Sequence, residues 1–365
     1  MSDFKLRGAS VVLHSPLGQK APRTFGIGGI PLLEERLGHL FDTETALVTS
    51  GRTSALALLT TSLLKAGDNL VAADQICSKT YAFLHQGCPR YSIDVRMASR
   101  PWELESWEAQ IDERTQMILV ECPSEPNSFI PDLESLATLA ADHCIPLVVD
   151  TSVATPALCP AARWADFVLS SLSGPLTGQP MAMGGVIGGS TDRIAPLRTE
   201  MSSSRQWDMH PFAASIALLG LQTLYDRLRT ARENTIAVRS LLLERRAEGE
   251  VHFVNHPSLR KHPQHDLAKK YFAGFAGPLL SFGLGGGPER ARRFIDALEM
   301  IHFDTEPQAT KTTIMHPYST THAWLSVEQK KAAVIRPAML ALWVGNEDPT
   351  DLIDDLERGF ASQKL

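Results

Sequence analysis

Between Lys79 and Lys261 the chain has no lysine, which excludes an imine-forming or proton-carrying lysine from that whole stretch. Cysteine is also scarce. Cys77, Cys88, Cys122, Cys144 and Cys159 are odd in number and follow no C-x-x-C spacing. They read as reduced thiols of a cytoplasmic protein, and neither a disulfide framework nor a structural zinc site is expected. No apolar run reaches the roughly 18 residues of a membrane span, and Met1 to Lys20 is mixed in polarity, without a signal-peptide layout. A basic stripe interleaved with aromatics is missing and the net charge is −6, so neither a membrane nor nucleic acid is an expected partner. G-x-S-x-G, H-E-x-x-H, P-loop and dinucleotide fingerprints are absent, as are internal repeats and low-complexity segments.

What is present describes an ordinary globular chain. Its 365 residues, 44% hydrophobic and 21% charged, can bury a substantial core, and the length suggests about two domains. Residues 1–45 read as an N-terminal arm, in which Pro16, Pro22 and the Gly26 to Gly29 run precede a helical pattern from Pro31. From 46 to 249 short apolar runs alternate with helix-like segments: Ala46–Val48 before Thr53–Leu64, Leu70–Ala73 before Ser78–Leu84, and Met117–Val120 before Leu133–Ala141, with Leu147–Val149 and Phe167–Leu169 following. Alternation of this kind predicts βαβ units and a mostly parallel sheet. One long helix is expected across 211–249. Beyond 250 the pattern changes to a smaller α+β domain, with strands at Leu279–Gly283 and Ala341–Val344 and helices at Pro288–Leu298 and Asp348–Phe360.

A series of short segments, in order along the chain, carries a resemblance. Thr49-Ser50-Gly51-Arg52 stands where a known family has S-S-G-M, and Glu121-Cys122-Pro123-Ser124-Glu125-Pro126 where it has E-S-P-[ST]-N-P. Asp150-Thr151-Ser152-Val153-Ala154-Thr155-Pro156 matches D-N-T-F-A-T-P, and Gly184-Gly185 matches a Gly pair. His256-Pro257 with His262-Pro263-Gln264-His265, His316-Pro317 with Thr320-Thr321-His322, and Val344-Gly345-Asn346-Glu347-Asp348 complete the order. The sequence thereby resembles the cystathionine γ-synthase, cystathionine lyase and methionine γ-lyase family of cysteine/methionine metabolism, over about residues 22–360. The resemblance implies the fold type I architecture of pyridoxal-phosphate (PLP) enzymes, of the aspartate-aminotransferase kind: a large α/β domain with a mostly parallel seven-stranded sheet and a small C-terminal α+β domain. It also implies a PLP cofactor, a small-molecule ligand in the cleft, sites at subunit interfaces and a homo-oligomeric dimer or tetramer.

The family's site does not carry over intact. Its cofactor lysine lies in a pattern like H-S-x-T-K-Y-x-x-G-H-x-D-x-x-G-G, and the ungapped register from Ala165-Asp166 to Gly184-Gly185 puts Gly174 there. Cys77 stands for the ring-stacking tyrosine, Ala341 for the arginine that clamps a substrate carboxylate, and Glu125 for an asparagine. The arm's Y-S-R corresponds to Pro22, Arg23 and Thr24, and Arg23 serves only after a one-residue shift. A carboxylate without its arginine forfeits a charge-assisted pair of about 1.5–3 kcal/mol. What remains is Asp150 for a pyridine nitrogen and an anion cradle, made of the Gly51 and Arg52 backbone at a helix start with Ser171 and Ser173. Their plainer readings are a capping carboxylate and turn-forming serines.

Substitute chemistry has few carriers. Lys79 is either a relocated imine lysine or an exposed helix-start residue. Cys77 is either an activated nucleophile or a small thiol filling the tyrosine's space. The histidines match family segments that bind no metal, and no metal is expected. Met181, Met183 and Trp343 are expected to pack the emptied cleft. Three functional readings follow: a repurposed, imine-independent enzyme of specialised amino-acid or sulfur metabolism; a non-catalytic subunit in a hetero-oligomer with an active paralogue; or a PLP-dependent C–S lyase using Lys79. The cofactor is accordingly PLP or none.

Overall fold

The computed structural model describes residues 29–364 apart from 308 and 309; Arg23 and the rest of the arm before residue 29 lie outside the described residues. The larger sheet contains β1 (Thr45–Thr49), β2 (Asn69–Ala73), β3 (Asp94–Ala98), β4 (Thr115–Glu121), β5 (Leu147–Asp150), β6 (Phe167–Ser171) and β7 (Gly185–Gly189), ordered β1-β7-β6-β5-β4-β2-β3. Six strands run parallel, and β7 alone pairs antiparallel, with β1 on one side and β6 on the other. Strands such as the Met-Ile-Leu-Val of β4 and the Leu-Val-Val of β5 are buried along their length. Uninterrupted apolar runs are what a parallel sheet covered on both faces requires.

Three helices of this layer bear on the site: α1 (Gly29–Phe41), α2 (Arg52–Leu63) and the short α3 (Ser78–Ala82). Two acidic side chains end neighbouring strands, Glu121 on β4 and Asp150 on β5, and these two residues are register partners. Carboxyl ends of parallel strands are where open α/β sheets place their ligand crevice, and both acids sit on that edge.

The smaller sheet is ordered β10-β11-β12-β9-β8, from β8 (Val251–Asn255), β9 (Leu279–Leu284), β10 (His302–Phe303), β11 (Thr313–Met315) and β12 (Met339–Trp343). Its core stacks Phe294 edge-on between Phe282 and Phe360, at 5.8 and 5.0 Å between ring centres. The buried carboxylate of Asp355 accepts three backbone N–H bonds, from Glu299 (2.8 Å), Met300 (3.0 Å) and Ile301 (2.8 Å), tying the last helix to the chain before β10. A third apolar cluster, Val153, Leu279, Met315, Ala341 and Trp343, joins the two sheets just beyond Asp150.

The single helix expected across 211–249 is two, Pro211–Leu221 and Leu224–Ala247. Nothing in Leu221-Gln222-Thr223 advertises the break. The constraint is tertiary: at Gly220 a Cβ would collide with the Thr177 carbonyl, so the first helix ends pressed onto the 173–183 loop. Val238, Leu241 and Leu242 of the second helix belong to the smaller sheet's core.

Candidate functional site

A cavity of about 820 Å³ opens at the carboxyl edge of the larger sheet, between it and the loops around Glu306 and Thr321. Its floor begins with the Gly51 turn. Gly51 is the extended residue ahead of α2 and has no side chain with which to cap it, so the first N–H groups of a twelve-residue helix face the cavity. Gly185 makes the turn possible, because a Cβ there would strike the Gly51 carbonyl. Ser50 and Ser54 line the same corner, with the Ser50 hydroxyl donating to Ser54 Oγ at 3.0 Å. Across from them, Ser171 Oγ donates to the Ser173 carbonyl at 3.0 Å and lies 3.2 Å from Ser173 Oγ. The structure therefore brings together the Gly51 turn, Ser171 and Ser173, the expected cradle.

Arg52 corrects the sequence expectation, which gave it a backbone role. Its guanidinium turns inward instead: Nη1 donates to Asp150 Oδ2 at 2.7 Å and to Glu121 Oε1 at 3.2 Å, and Nη2 donates to Cys77 Sγ at 2.5 Å. Asp150 is 2% exposed, and its second oxygen is also engaged, accepting from Ser152 N at 2.8 Å and Ser152 Oγ at 2.5 Å. Glu121 accepts further bonds from Cys77 N and Thr80 Oγ1, each at 2.8 Å. Asp150 thus sits where expected, but its outward oxygen holds an arginine.

The electrostatics follow from this packing. Burial works against the Arg52 cation, but the Asp150 and Glu121 carboxylates facing it outweigh that and hold its pKa well above the ordinary value. Burial, together with the two neighbouring glutamates, pushes the Cys77 thiol up to about 12 against the pull of Arg52. Cys77 is therefore a neutral thiol at physiological pH, and the negative charge facing Arg52 there comes from carboxylates. An activated nucleophile is not what this environment makes. Glu125 is raised to about 8 by burial and by Glu121, which leaves a protonated carboxyl group on the cavity wall near neutral pH.

Lys79 is the single lysine among the described residues that line the cavity. It is 61% exposed, and its Nζ pairs with Glu306 at 2.5 Å. Gly174 is buried at φ +100°, and a Cβ built there would lie 3.7 Å from Pro307. The loop around it is held by Arg227, which donates to the carbonyls of Pro175 (2.7 Å) and Leu176 (3.0 Å). Ala341 lies fully buried in the apolar cluster behind Asp150. Trp343 packs there as expected, but Met181 and Met183 do not fill the cleft: both are 67% exposed, because the loop turns their side chains outward at its mouth. Two of the expected histidines are spent on structure, His256 on Ser258 Oγ (2.7 Å) and the Gly277 carbonyl (3.1 Å), and His316 on Ser319 Oγ (2.6 Å) and the Pro337 carbonyl (2.7 Å).

Sequence reasoning missed the Arg52 guanidinium and its partner Glu121, whose carboxylate Thr80 also holds. A signal was available, since a basic residue replaces methionine after the Gly51 turn while acids end two adjacent strands beneath it.

Comparison with known proteins agrees with this fold. The family profile described as Cys/Met metabolism PLP-dependent enzyme matches residues 30–361. The O-succinylhomoserine sulfhydrylase of Pseudomonas aeruginosa is 33% identical over 90% of this chain and 80% of its own length. The O-acetyl-L-homoserine sulfhydrylase 1 of Thermus thermophilus is 34% identical, over 91% and 86%. Among solved structures, cystathionine gamma synthase from Xanthomonas oryzae superposes with a TM-score of 0.86 at 29% identity, covering 93% of this chain and 87% of that one. A putative O-acetylhomoserine (thiol)-lyase from Campylobacter jejuni, solved with a pyridoxyl-lysine, superposes equally well at 27% identity, over 92% and 86%. The fold is therefore the PLP fold type I, and the chain belongs to the Cys/Met-metabolism PLP-dependent enzyme family.

Proposed function

We propose that this chain is a repurposed member of the family, one that keeps the cleft for a small polar molecule and works without an imine. The observation that carries the reading is the 2.7 Å ion pair from Arg52 to Asp150. PLP chemistry needs a lysine amine to hold the aldehyde and a carboxylate to keep the pyridine nitrogen protonated. Here the carboxylate is already neutralised by a cation of this chain. Gly174 stands at the lysine position with a left-handed backbone, and Lys79 is turned to Glu306 in solvent. The residues present do not fit the cofactor in its family pose.

The cleft is nevertheless not packed shut. About 820 Å³ remains, lined by Arg52, four serines of the cradle and the Glu125 carboxyl, which favours a ligand-holding site over a collapsed one. A buried acid with a pKa near 8 is suited to giving a proton to a bound molecule at neutral pH. Glu125 is accordingly the proton donor in this reading, and the helix start with its serines is the anion-holding end.

A PLP titration followed by visible absorbance and circular dichroism tests it. The expected spectrum is that of free aldehyde at every concentration. A yellow protein with an induced dichroic band would overturn the reading.

A further inference from the structure

A second cavity, of about 900 Å³, lies on the far side of the segments that line the cleft. The chain from Gln75 to Lys79 presents Cys77, Ser78 and Lys79 to the cleft and Gln75 to this cavity, and the chain from Pro123 to Ile130 presents Glu125 to one and Asn127, Phe129 and Ile130 to the other. Its volume falls within the range of small-molecule sites.

The lining is of two kinds. The floor is apolar and aromatic, with Phe129 and Trp107 buried, Phe253 on one wall and Trp102 on the other, its ring 56% exposed. The rim is basic: Arg246, Lys261 and Arg336 are exposed there, and among the described residues none has an ion-pair partner. Arg336 lies 4.6 Å over the Phe253 ring. The one carboxylate at the cavity, Asp132, is already matched by Lys270 at 3.4 Å, Ser135 Oγ at 2.8 Å and the Tyr271 hydroxyl. Other polar groups are also satisfied, Asn127 by the Ala333 carbonyl at 2.8 Å and Asn255 by His262 at 2.9 Å. Gln75, 6% exposed overall, also lines the cavity and offers it a side-chain amide.

We infer that this cavity is a second ligand site, taking a small aromatic carboxylate whose ring lies against Trp102 and Phe253, whose anion faces the three rim cations, and whose remaining polar group or water meets Gln75. The site is independent of the chemistry proposed for the cleft.

The probe is 2-naphthoate, with 2-naphthylmethanol as its uncharged counterpart, measured by equilibrium dialysis on the full chain. Saturable binding of the acid is expected, with the alcohol roughly tenfold weaker, as a few exposed charge contacts together supply. Lys261→Gln/Arg336→Gln should weaken the acid by a similar factor, and Trp102→Ala should weaken both ligands. Each variant's urea midpoint reports that it is folded. Hydrogen exchange should be slowed by the acid at residues 75–77, 127–130 and 253–262. No saturable binding, equal binding of acid and alcohol, indifference to the rim substitutions, or protection confined to other segments would each overturn the inference.

Discussion

Replacing Arg52 by glutamine isolates the interaction on which the account turns. Its guanidinium lies 2.7 Å from Asp150 and 3.2 Å from Glu121, with side chains 15%, 2% and 5% exposed. At an effective dielectric of about 20 each contact is a Coulomb attraction of roughly 5–6 kcal/mol, before desolvation is subtracted. Removing one partner of such a buried pair leaves uncompensated charge and costs about 3–5 kcal/mol. Urea unfolding at pH 7 should show that loss as a lower midpoint with an unchanged slope. The deficit should then shrink on acidification. Without the cation, the Glu121 carboxyl, already held above its ordinary pKa by burial, rises further, so stability is regained as pH falls and Glu121 takes up a proton. Asp150→Asn in the same background should recover part of the loss, a coupling of about 0.5–3 kcal/mol. A deficit below ~1 kcal/mol, or one indifferent to pH, would refute a buried Arg52–carboxylate cluster.

Three further outcomes can be checked. Gly174→Lys should destabilise the fold by about 1–3 kcal/mol in thermal or urea unfolding, since φ +100° suits glycine and not a side chain, and the variant should remain colourless with PLP while Arg52 holds Asp150. Glu125, raised to about 8 from an ordinary 4.5, keeps in the folded state a proton that the unfolded chain has released. Its contribution is therefore full below the unfolded value and is lost as pH rises from about 4.5 through 8, by at most about 1.4 kcal/mol per pH unit, and Glu125→Gln should flatten the pH–stability profile across that window. Asp355→Ala strands three N–H groups of the Glu299–Ile301 segment and should cost about 3–5 kcal/mol in urea unfolding, with Asp355→Asn recovering part of it.

The fold was largely readable because local pattern and global packing agree in it. The apolar runs of β4, β5 and β6 are buried on both faces, and the breaks between them are where the chain turns. The helix break after Leu221 was not readable, because it coincides with a close approach of Gly220 to the Thr177 carbonyl that no local residue announces. The site was legible as far as backbone and position decide it: the Gly51 turn, Ser171, Ser173 and the end of β5. Side-chain direction was not legible. Arg52 reaches across to two acids far away in sequence, and Met181 and Met183, apolar enough to fill a cleft, are carried to the surface by a loop that Arg227 fixes from another helix.

Whether this cleft forms an imine is decided by borohydride reduction of the full chain under saturating PLP, followed by peptide mass mapping. No pyridoxyl adduct is expected on Lys79, the lysine that lines the cleft among the described residues, and a reduced adduct at Lys79, abolished by Lys79→Arg, would establish an imine there.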